Sequence, residues 1–199
     1  MDKAKVYSRY DKIVAWFDQH RQKYPLMEKK YLELIATHTP KGGAILDLGC
    51  GTGKPIAQFF IDKGYYITGI DGSAQMIALC QKRFPDQNWI TADMTDLDLP
   101  QRFDAIIAWH SFFHLTPRSQ RAMFPIFKTH SKLGGLLVFT SGNEYGEVWS
   151  NNGGQQLYHA SLAANEYQKL LKAASFEVLI HEINDPTCGN ATVWVARAG

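Results

Sequence analysis

The chain has 199 residues, of which 45% are hydrophobic and 20% are charged. This length and composition fit one globular domain with a sizeable core. The formal net charge of +2 is too small to indicate a protein that binds nucleic acid through its overall charge. No apolar stretch reaches the length of a transmembrane helix, and the start lacks the pattern of a secretory signal peptide. We therefore predict a cytoplasmic protein.

The first 38 residues have the apolar spacing of helices. Hydrophobic side chains recur at helical intervals over residues 6–17 and 27–35, and Pro25 separates the two segments because proline is poorly tolerated inside a helix. Residues 1–30 hold eight Lys or Arg and four Asp or Glu. Because these opposite charges are interleaved, they favour solvent-facing helices over an arm that binds RNA.

The next segment, residues 44–53, joins an apolar run to three alternating glycines. The run contains Asp47, and Gly49, Gly51 and Gly53 follow before a helical pattern. Glycine has no Cβ, so such a loop can take positive φ and let its backbone approach a ligand closely. A dinucleotide fingerprint, G-x-G-x-x-G, requires glycine at position 54, where Lys54 stands. The order D-x-G-x-G-x-G predicts a nucleotide-binding strand–turn–helix unit of another type.

Two further apolar runs end in an acid at similar intervals along the chain. Residues 65–70 lead to Asp71, and residues 88–92 lead to Asp93. In open α/β sheets, ligands lie at the carboxyl ends of the strands, and an acid about twenty residues after the glycine loop can bind ribose hydroxyls. Asp71 also fits a turn that caps the following helix, and the two interpretations are compatible.

This arrangement resembles the class I S-adenosylmethionine (SAM)-dependent methyltransferases. Their first motif is similar to residues 47–53, and the resemblance covers residues 35–139 in motif detail and the rest in topology. It implies SAM as the cofactor and S-adenosylhomocysteine (SAH) as the product. It assigns Asp71 to the ribose, and Asp93 and Met94 to the adenine. The cofactor-binding residues that it implies are Tyr7, Asp47, Gly49, Cys50, Gly51, Gly53, Asp71, Gly72, Met76, Asp93, Met94 and Trp109.

The remaining segments continue the alternation of strands and helices. They are a strand over 103–109, a helix over 117–131, a strand over 136–140, a helix over 163–174 and strands over 176–182 and 191–197. Alternation predicts an α/β three-layer sandwich with a mostly parallel sheet. A closing hairpin makes the last strand antiparallel, and the resemblance implies seven strands in the order 3-2-1-4-5-7-6. The single domain, 1–199, divides into a helical cap (1–38), a cofactor-binding core (44–140) and an acceptor-side loop (141–160).

The acceptor side is predicted from the residues that follow the fourth strand and from the long loop. His110 is the first candidate for a catalytic base, since the resemblance places methyl transfer there; a histidine held at a strand end is the alternative. The predicted substrate-binding residues are His110, Phe113, Tyr145, Tyr158 and His159. His20 and His114 are interpreted as structural, and Tyr10 and Trp16 as packing residues. The three cysteines show no metal-like spacing, and no metal site is predicted.

We therefore predict an enzyme that transfers the methyl group of SAM to a small-molecule acceptor by in-line displacement, mainly through positioning. Three alternatives stay open at this point. The charge of residues 1–30 allows a methyltransferase that acts on RNA or protein, and an intact cofactor site also fits a non-catalytic SAM-binding module. An NAD(P)-dependent oxidoreductase is disfavoured by Lys54. The acceptor, the methylated atom and the oligomeric state are not predicted.

Overall fold

The computed structural model describes residue 3, residues 5–22 and residues 26–199. The predicted helix break at Pro25 lies outside the described residues. The helices are α1 (Tyr7–Tyr10), α2 (Val14–Gln22), α3 (Lys29–His38), α4 (Ile56–Ile61), α5 (Ala74–Arg83), α6 (Pro117–His130) and α7 (Ala164–Ala173). The strands are β1 (Ala44–Leu48), β2 (Tyr66–Asp71), β3 (Asn88–Thr91), β4 (Phe103–Ala108), β5 (Ser131–Ser141), β6 (Gly146–Asn152), β7 (Gln155–Ser161), β8 (Phe176–Asp185) and β9 (Ala191–Ala198).

Seven of these strands form one sheet in the order β3-β2-β1-β4-β5-β9-β8. Strands β1 to β5 pair in parallel, whereas β9 is antiparallel to both of its neighbours. The predicted α/β sheet with an antiparallel last strand is confirmed. The strand numbers differ in detail from the predicted order because β6 and β7 intervene in the chain and pair with each other outside this sheet.

Helices cover both faces of the sheet, because neighbouring strand residues point to opposite sides. In β1, Ile45 belongs to a core with Tyr31 of α3 and Phe60 of α4. The next residue, Leu46, belongs to a second core with Phe124 of α6 and Leu171 of α7. The three layers follow from this alternation of buried apolar side chains.

The segment predicted as an acceptor-side loop is instead a β-hairpin. Strands β6 and β7 pair in antiparallel register from Gly146 opposite Ser161 to Asn152 opposite Gln155. Gly153 and Gly154 connect them with φ of 57° and 78°. Two glycines with positive φ make the tight turn whose twist matches that of paired strands. The sequence interpretation missed this turn because the segment is polar and exposed on one side.

Two predicted helix starts are confirmed by their hydrogen bonds. The Ser73 side chain accepts from the Met76 amide at the start of α5, and Thr116 accepts from the Ser119 amide at the start of α6. Helix α6 also continues through Pro125, where the sequence predicts a kink or break. Pro125 is exposed, so water can solvate the carbonyl that loses its donor. Within the described residues, no helix is both long and apolar enough to cross a membrane.

Candidate active site

A cavity of about 380 Å³ opens at the carboxyl ends of β1 to β4. Helices α1 and α2 close one side of it, and the β6–β7 hairpin closes another. The predicted site residues that line it are Tyr7, Asp47, Gly49, Cys50, Gly51, Asp71, Gly72, Met76, Asp93, Met94, Trp109, His110, Phe113 and His159. The sheet edge therefore brings together most of the predicted cofactor-binding residues, as parallel strands with a shared carboxyl edge should.

Three predicted site residues lie away from this lining. Gly53 packs beneath α5, where an added Cβ would lie 3.3 Å from the Cys80 sulfur. Tyr145 is 60% exposed at the start of the hairpin. Tyr158 is fully buried, and its hydroxyl donates to Glu147 at 2.7 Å. The structure thus places Gly53 in the packing of the loop, Tyr145 in solvent and Tyr158 in the packing of the hairpin, and none of the three lines the cavity.

Several lining residues were not predicted as site residues. Those with a polar, charged or aromatic side chain are Tyr10, Trp16, Phe17, His20, Arg21, Lys54, Ser111, His114, Ser150 and Asn152. Six of these ten come from α2 and from the hairpin, whose segment was predicted to lie on the acceptor side but through other residues. His20, which the sequence analysis interprets as structural, lines the cavity because α2 folds across the cavity opening. The helical spacing of residues 6–17 indicates a helix but not its place at the cavity, whereas Gly153-Gly154 was a signal for the turn of the hairpin.

The glycine loop is held tightly between β2 and the segment after β4. The amides of Gly49 and Cys50 both donate to the Ile70 carbonyl, at 2.7 and 3.0 Å. Gly49 has φ of +75°, and a Cβ there would lie 2.2 Å from the Cβ of Ser111. The Ser111 hydroxyl donates to the Leu48 carbonyl at 2.5 Å. Both the backbone conformation and the available space therefore require glycine at position 49.

Asp71 connects the glycine loop to α5. Its two carboxylate oxygens accept from the Gly51 amide at 2.9 Å and from the Ser73 amide at 2.8 Å. Desolvation raises the pKa of Asp71 to about 6, although these two hydrogen bonds act in the opposite direction. Asp71 also lines the cavity, so its oxygens can accept further hydrogen bonds from a ligand.

Asp47 is a buried carboxylate whose Oδ2 has no hydrogen-bond partner among the described residues. Its side chain is 3% exposed. Desolvation and the charge of Asp71 raise the pKa of Asp47 to about 7, and the charge of Arg21 opposes this shift. A buried acceptor without a partner is costly, and a cationic ligand in the cavity would satisfy it. The ammonium group of SAM fits this requirement.

Helix α2 is tied to the glycine loop by a hydrogen bond and to α5 by an ion pair. Asp18 accepts from the Thr52 hydroxyl at 2.7 Å and from two nitrogens of Arg83 on α5, at 2.7 and 2.6 Å. This bidentate geometry is the strong form of an Arg–carboxylate pair, and it lowers the pKa of Asp18. Phe17 and Arg21, on the same helix, are thereby positioned at the cavity.

Neutral imidazoles lie on the acceptor side of the cavity. His110 has φ of 50°, and its amide donates to Thr140 Oγ1 at 2.9 Å. Its side chain is exposed to the cavity, and desolvation by the surrounding protein and then the charge of Arg21 lower its pKa to about 4. Desolvation, with the charge of His159, lowers the pKa of His114 to about 3. These two imidazoles are therefore uncharged at neutral pH.

Hydrogen bonds fix the tautomer of His114. Its Nδ1 lies 2.7 Å from the Tyr158 carbonyl, which can only accept, so Nδ1 carries the hydrogen. Its Nε2 lies 2.8 Å from the Tyr10 hydroxyl and accepts from it. Both ring nitrogens of His114 are thus used in hydrogen bonds that join α1 to the hairpin. The ring of His159 lies beside it, with centroids 4.7 Å apart.

The cavity-facing side of the hairpin carries a short row of polar groups. The Asn152 amide donates to Ser150 Oγ at 2.8 Å, and this oxygen lies 3.3 Å from His159 Nδ1. Desolvation lowers the pKa of His159. In the part of the chain that the structure describes, no set of three His, Cys, Asp or Glu residues is arranged to hold a metal ion.

Residues 45–135 match the family model of a methyltransferase domain. The chain is 31% identical over 123 residues to a dTDP-3-amino-3,6-dideoxy-α-D-glucopyranose N,N-dimethyltransferase from Streptomyces fradiae, an alignment that covers 61% of this chain and 46% of that protein. A related N,N-dimethyltransferase from Streptomyces venezuelae, for the 3,4,6-trideoxy sugar, is 30% identical over 108 residues, covering 53% of this chain and 45% of that protein. The chain spans about half the length of these two curated relatives.

A solved structure with a similar fold is a 1,6-didemethyltoxoflavin-N1-methyltransferase from Burkholderia thailandensis, with bound 1,6-didemethyltoxoflavin and SAH. Its TM-score is 0.74 at 18% identity, and the match covers 97% of this chain and 87% of that one. The domain match, the sheet order and the glycine loop between Asp47 and Asp71 agree with one another. By this agreement, residues 45–135 form a methyltransferase domain, and the chain as a whole resembles the class I SAM-dependent methyltransferases.

Proposed function

We propose that the chain transfers the methyl group of SAM to a small-molecule acceptor by in-line displacement. The observation that carries this proposal is the unpartnered Asp47 carboxylate in the same cavity as the glycine loop and the neutral imidazoles. The cavity, at about 380 Å³, is within the usual range for small-ligand sites. The relatives named above act on amino sugars and on a toxoflavin precursor, which supports a small acceptor.

The residues that would hold SAM follow from their chemistry. Asp71 suits the ribose hydroxyls, and Asp93 and Met94 suit the adenine. Asp47 suits the ammonium group of the methionine end, and the Arg21 guanidinium suits its carboxylate. Bound SAM supplies a methyl group that is already electrophilic because it is attached to a sulfonium. The sequence interpretation did not include Arg21.

The protein's contribution is then mainly geometric. Holding an acceptor in line with the methyl group can supply roughly 7–11 kcal/mol of the barrier. Helices α1 and α2 and the hairpin restrict access of water to the cavity, which strengthens electrostatic interactions inside it. The Nδ1 of His110 lies 3.5 Å from Thr140 Oγ1, and we propose that Nδ1 donates to this oxygen, which leaves Nε2 of the neutral ring to accept the proton.

The packing of the N-terminal basic residues favours a small acceptor over RNA. Lys3 pairs with Glu147 of the hairpin at 2.5 Å. Arg9 donates to the Gln156 carbonyl at 2.9 Å, and its guanidinium lies 5.2 Å from the centre of the Trp149 ring. These contacts use the positive charges to hold the cap to the hairpin, so the charge excess of residues 1–30 does not require a phosphate backbone as a partner.

Titration calorimetry with SAM, SAH and NAD⁺ tests the cofactor, and SAH release in the presence of candidate acceptors tests turnover. We expect micromolar binding of SAM and SAH and none of NAD⁺. Binding of NAD⁺ alone would overturn the proposal. Binding of SAM without turnover of any acceptor would favour the non-catalytic module.

Substituting Asn for Asp47 should stabilise the ligand-free protein near neutral pH while weakening SAM binding. The raised pKa means that folded Asp47 holds a proton over the range from about 4 to about 7, where the unfolded carboxyl is ionised. Stability of the ligand-free protein therefore falls as pH rises through this window. Urea unfolding at several pH values should show a shallower fall for Asp47→Asn. Parallel pH profiles for variant and wild type would contradict this assignment.

Substituting Asn for His110 should lower turnover by about 10²-fold or more, the usual size of a general-base contribution. Asparagine tolerates the positive φ at this position, so the backbone should be retained. SAM affinity, measured by calorimetry, should change little. His38→Asn is the control, because His38 is exposed on α3. Equal losses of SAM affinity and turnover would show that His110 acts in the cofactor site or in the scaffold and not as the base.

A further inference from the structure

We propose that the acceptor is a planar aromatic or heteroaromatic compound whose nucleophile is an acidic O–H or ring N–H group, and not an aliphatic amine. This inference rests on the proposed function and narrows its substrate class. In the balanced step, a lone pair of the acceptor forms the new bond to the methyl carbon while the carbon–sulfur bond breaks toward sulfur. The acceptor's proton leaves to His110 Nε2 or to water.

The first observation is the distribution of negative charge around the cavity. Among the described lining residues, the carboxylates are Asp47, Asp71 and Asp93, and they lie at the ends of β1, β2 and β3. The described lining residues of α2, of the segment 109–115 and of the hairpin include none. Glu28 comes near this side, but it is 2% exposed and pairs with Arg21. We call the lining residues of α2, of the segment 109–115 and of the hairpin the acceptor wall. An ammonium group bound against this wall would therefore have no accessible counter-ion.

The second observation is the character of the bases on this wall. His110 and His159 lie in protein surroundings that keep their imidazoles uncharged. An aliphatic ammonium, with a pKa near that of lysine at about 10, would have to lose its proton to a much weaker base. Burying it still charged and unpaired would be costly. A hydroxyl or ring N–H group is uncharged while it holds its proton, so it avoids the cost of burying an unpaired charge.

The third observation is the aromatic surface between α2 and the hairpin. The Trp16 and His20 rings stack with centroids 4.7 Å apart. Trp16 also packs on the hairpin turn, where an added Cβ at Gly153 would lie 2.7 Å from its ring. Across the wall, Phe113 meets the ring of His159 edge to face at 5.1 Å. Flat rings favour stacked or edge-to-face partners, so this surface suits a planar acceptor body.

The fourth observation is the polar row of Asn152, Ser150 and His159. These side chains face the cavity, hydrogen-bond to one another and carry both donors and acceptors. They can orient an uncharged or anionic polar group on a planar ring. Position 152 also gives a direct test, because an aspartate there would place a carboxylate on a wall whose described lining has none.

The test uses three probes that share one naphthalene body: 2-naphthol, 2-naphthoate and 2-naphthylmethylammonium. Calorimetry at neutral pH with SAH present should show the hydroxyl and carboxylate probes binding at least about tenfold more tightly than the ammonium probe, as expected for an ammonium with no counter-ion. An ammonium probe that binds as tightly as the others would overturn the charge argument. If none of the three probes binds at millimolar concentration, the proposal that the acceptor has a planar body would be overturned.

The matched variants are Asn152→Asp and Asn151→Asp. Asn151 is exposed and absent from the cavity lining, so the two variants add the same charge to neighbouring positions. Asn152→Asp should shift the preference toward the ammonium probe by about fivefold or more, through a new charge pair in the cavity. Asn151→Asp should keep the wild-type order. The same shift in both variants, or in neither, would overturn the proposal.

Titration of SAH before the probes separates this inference from the proposed function. A wild-type protein that does not bind SAH would overturn the proposed function, and this inference with it. A protein that binds SAH but shows no preference for the acidic probes would overturn the acceptor class alone.

Discussion

Replacing Gly49 with alanine should reduce the free energy of unfolding by about 2–5 kcal/mol and abolish measurable SAM binding. Two costs combine at this position. Gly49 has φ of +75°, a conformation that alanine rarely adopts, and its new Cβ would lie 2.2 Å from the Cβ of Ser111. Relief of the clash requires movement of the glycine loop or of the segment after β4, and both line the cavity. Urea unfolding and calorimetry with SAM measure the two effects.

Gly134→Ala is the matched control for this experiment. Gly134 has φ of +76°, and an added Cβ there would have no atom within 4 Å. This variant should carry only the conformational cost, about 1–3 kcal/mol, and should retain SAM binding. The difference between the two variants isolates the contact with Ser111. If Gly49→Ala loses no more stability than Gly134→Ala and still binds SAM, the close packing of the loop is not required.

Replacing Asp71 with asparagine should weaken SAM binding by about 1–3 kcal/mol, roughly fivefold to more than hundredfold in Kd. The carboxylate accepts from the Gly51 and Ser73 amides with its two oxygens. An asparagine has one oxygen, so its amide group would face one of these donors. The variant thus loses a hydrogen bond in the loop as well as the charged acceptor that we assign to the ribose.

Asp86→Asn is the control, because Asp86 is exposed and does not line the cavity. It should bind SAM as the wild type does. Calorimetry should be paired with urea unfolding, so that loss of affinity is separated from loss of fold. A folded Asp71→Asn protein with wild-type affinity for SAM would show that the ribose assignment is wrong.

The cofactor half of the site was predictable because its signals are local in the sequence. Asp47, Asp71 and Asp93 each follow an apolar run, and parallel strands bring their carboxyl ends to one edge. The contribution of α2 was not predictable in this way. It depends on Asp18 meeting Thr52 and Arg83, contacts between residues far apart in the chain. A single sequence gives no signal for such contacts.

The hairpin shows a second reason for the missed residues. Tyr158 and His159 were both predicted to line the acceptor pocket, but neighbouring side chains on a strand point to opposite faces. His159 lines the cavity, and Tyr158 is buried against the cap. Ser150 and Asn152, two residues apart, share the face of His159. Treating residues 141–160 as a loop removed this alternation from the prediction.

The Asp18 carboxylate, held by Thr52 and Arg83, gives the protein a means of heterotropic coupling. It joins the glycine loop to the helix that carries Trp16, His20 and Arg21 on the opposite wall. A ligand whose binding moves the loop therefore also moves this wall, which couples binding at the two places. Linkage then requires reciprocity: whatever factor the cofactor adds to acceptor affinity, the acceptor adds to cofactor affinity.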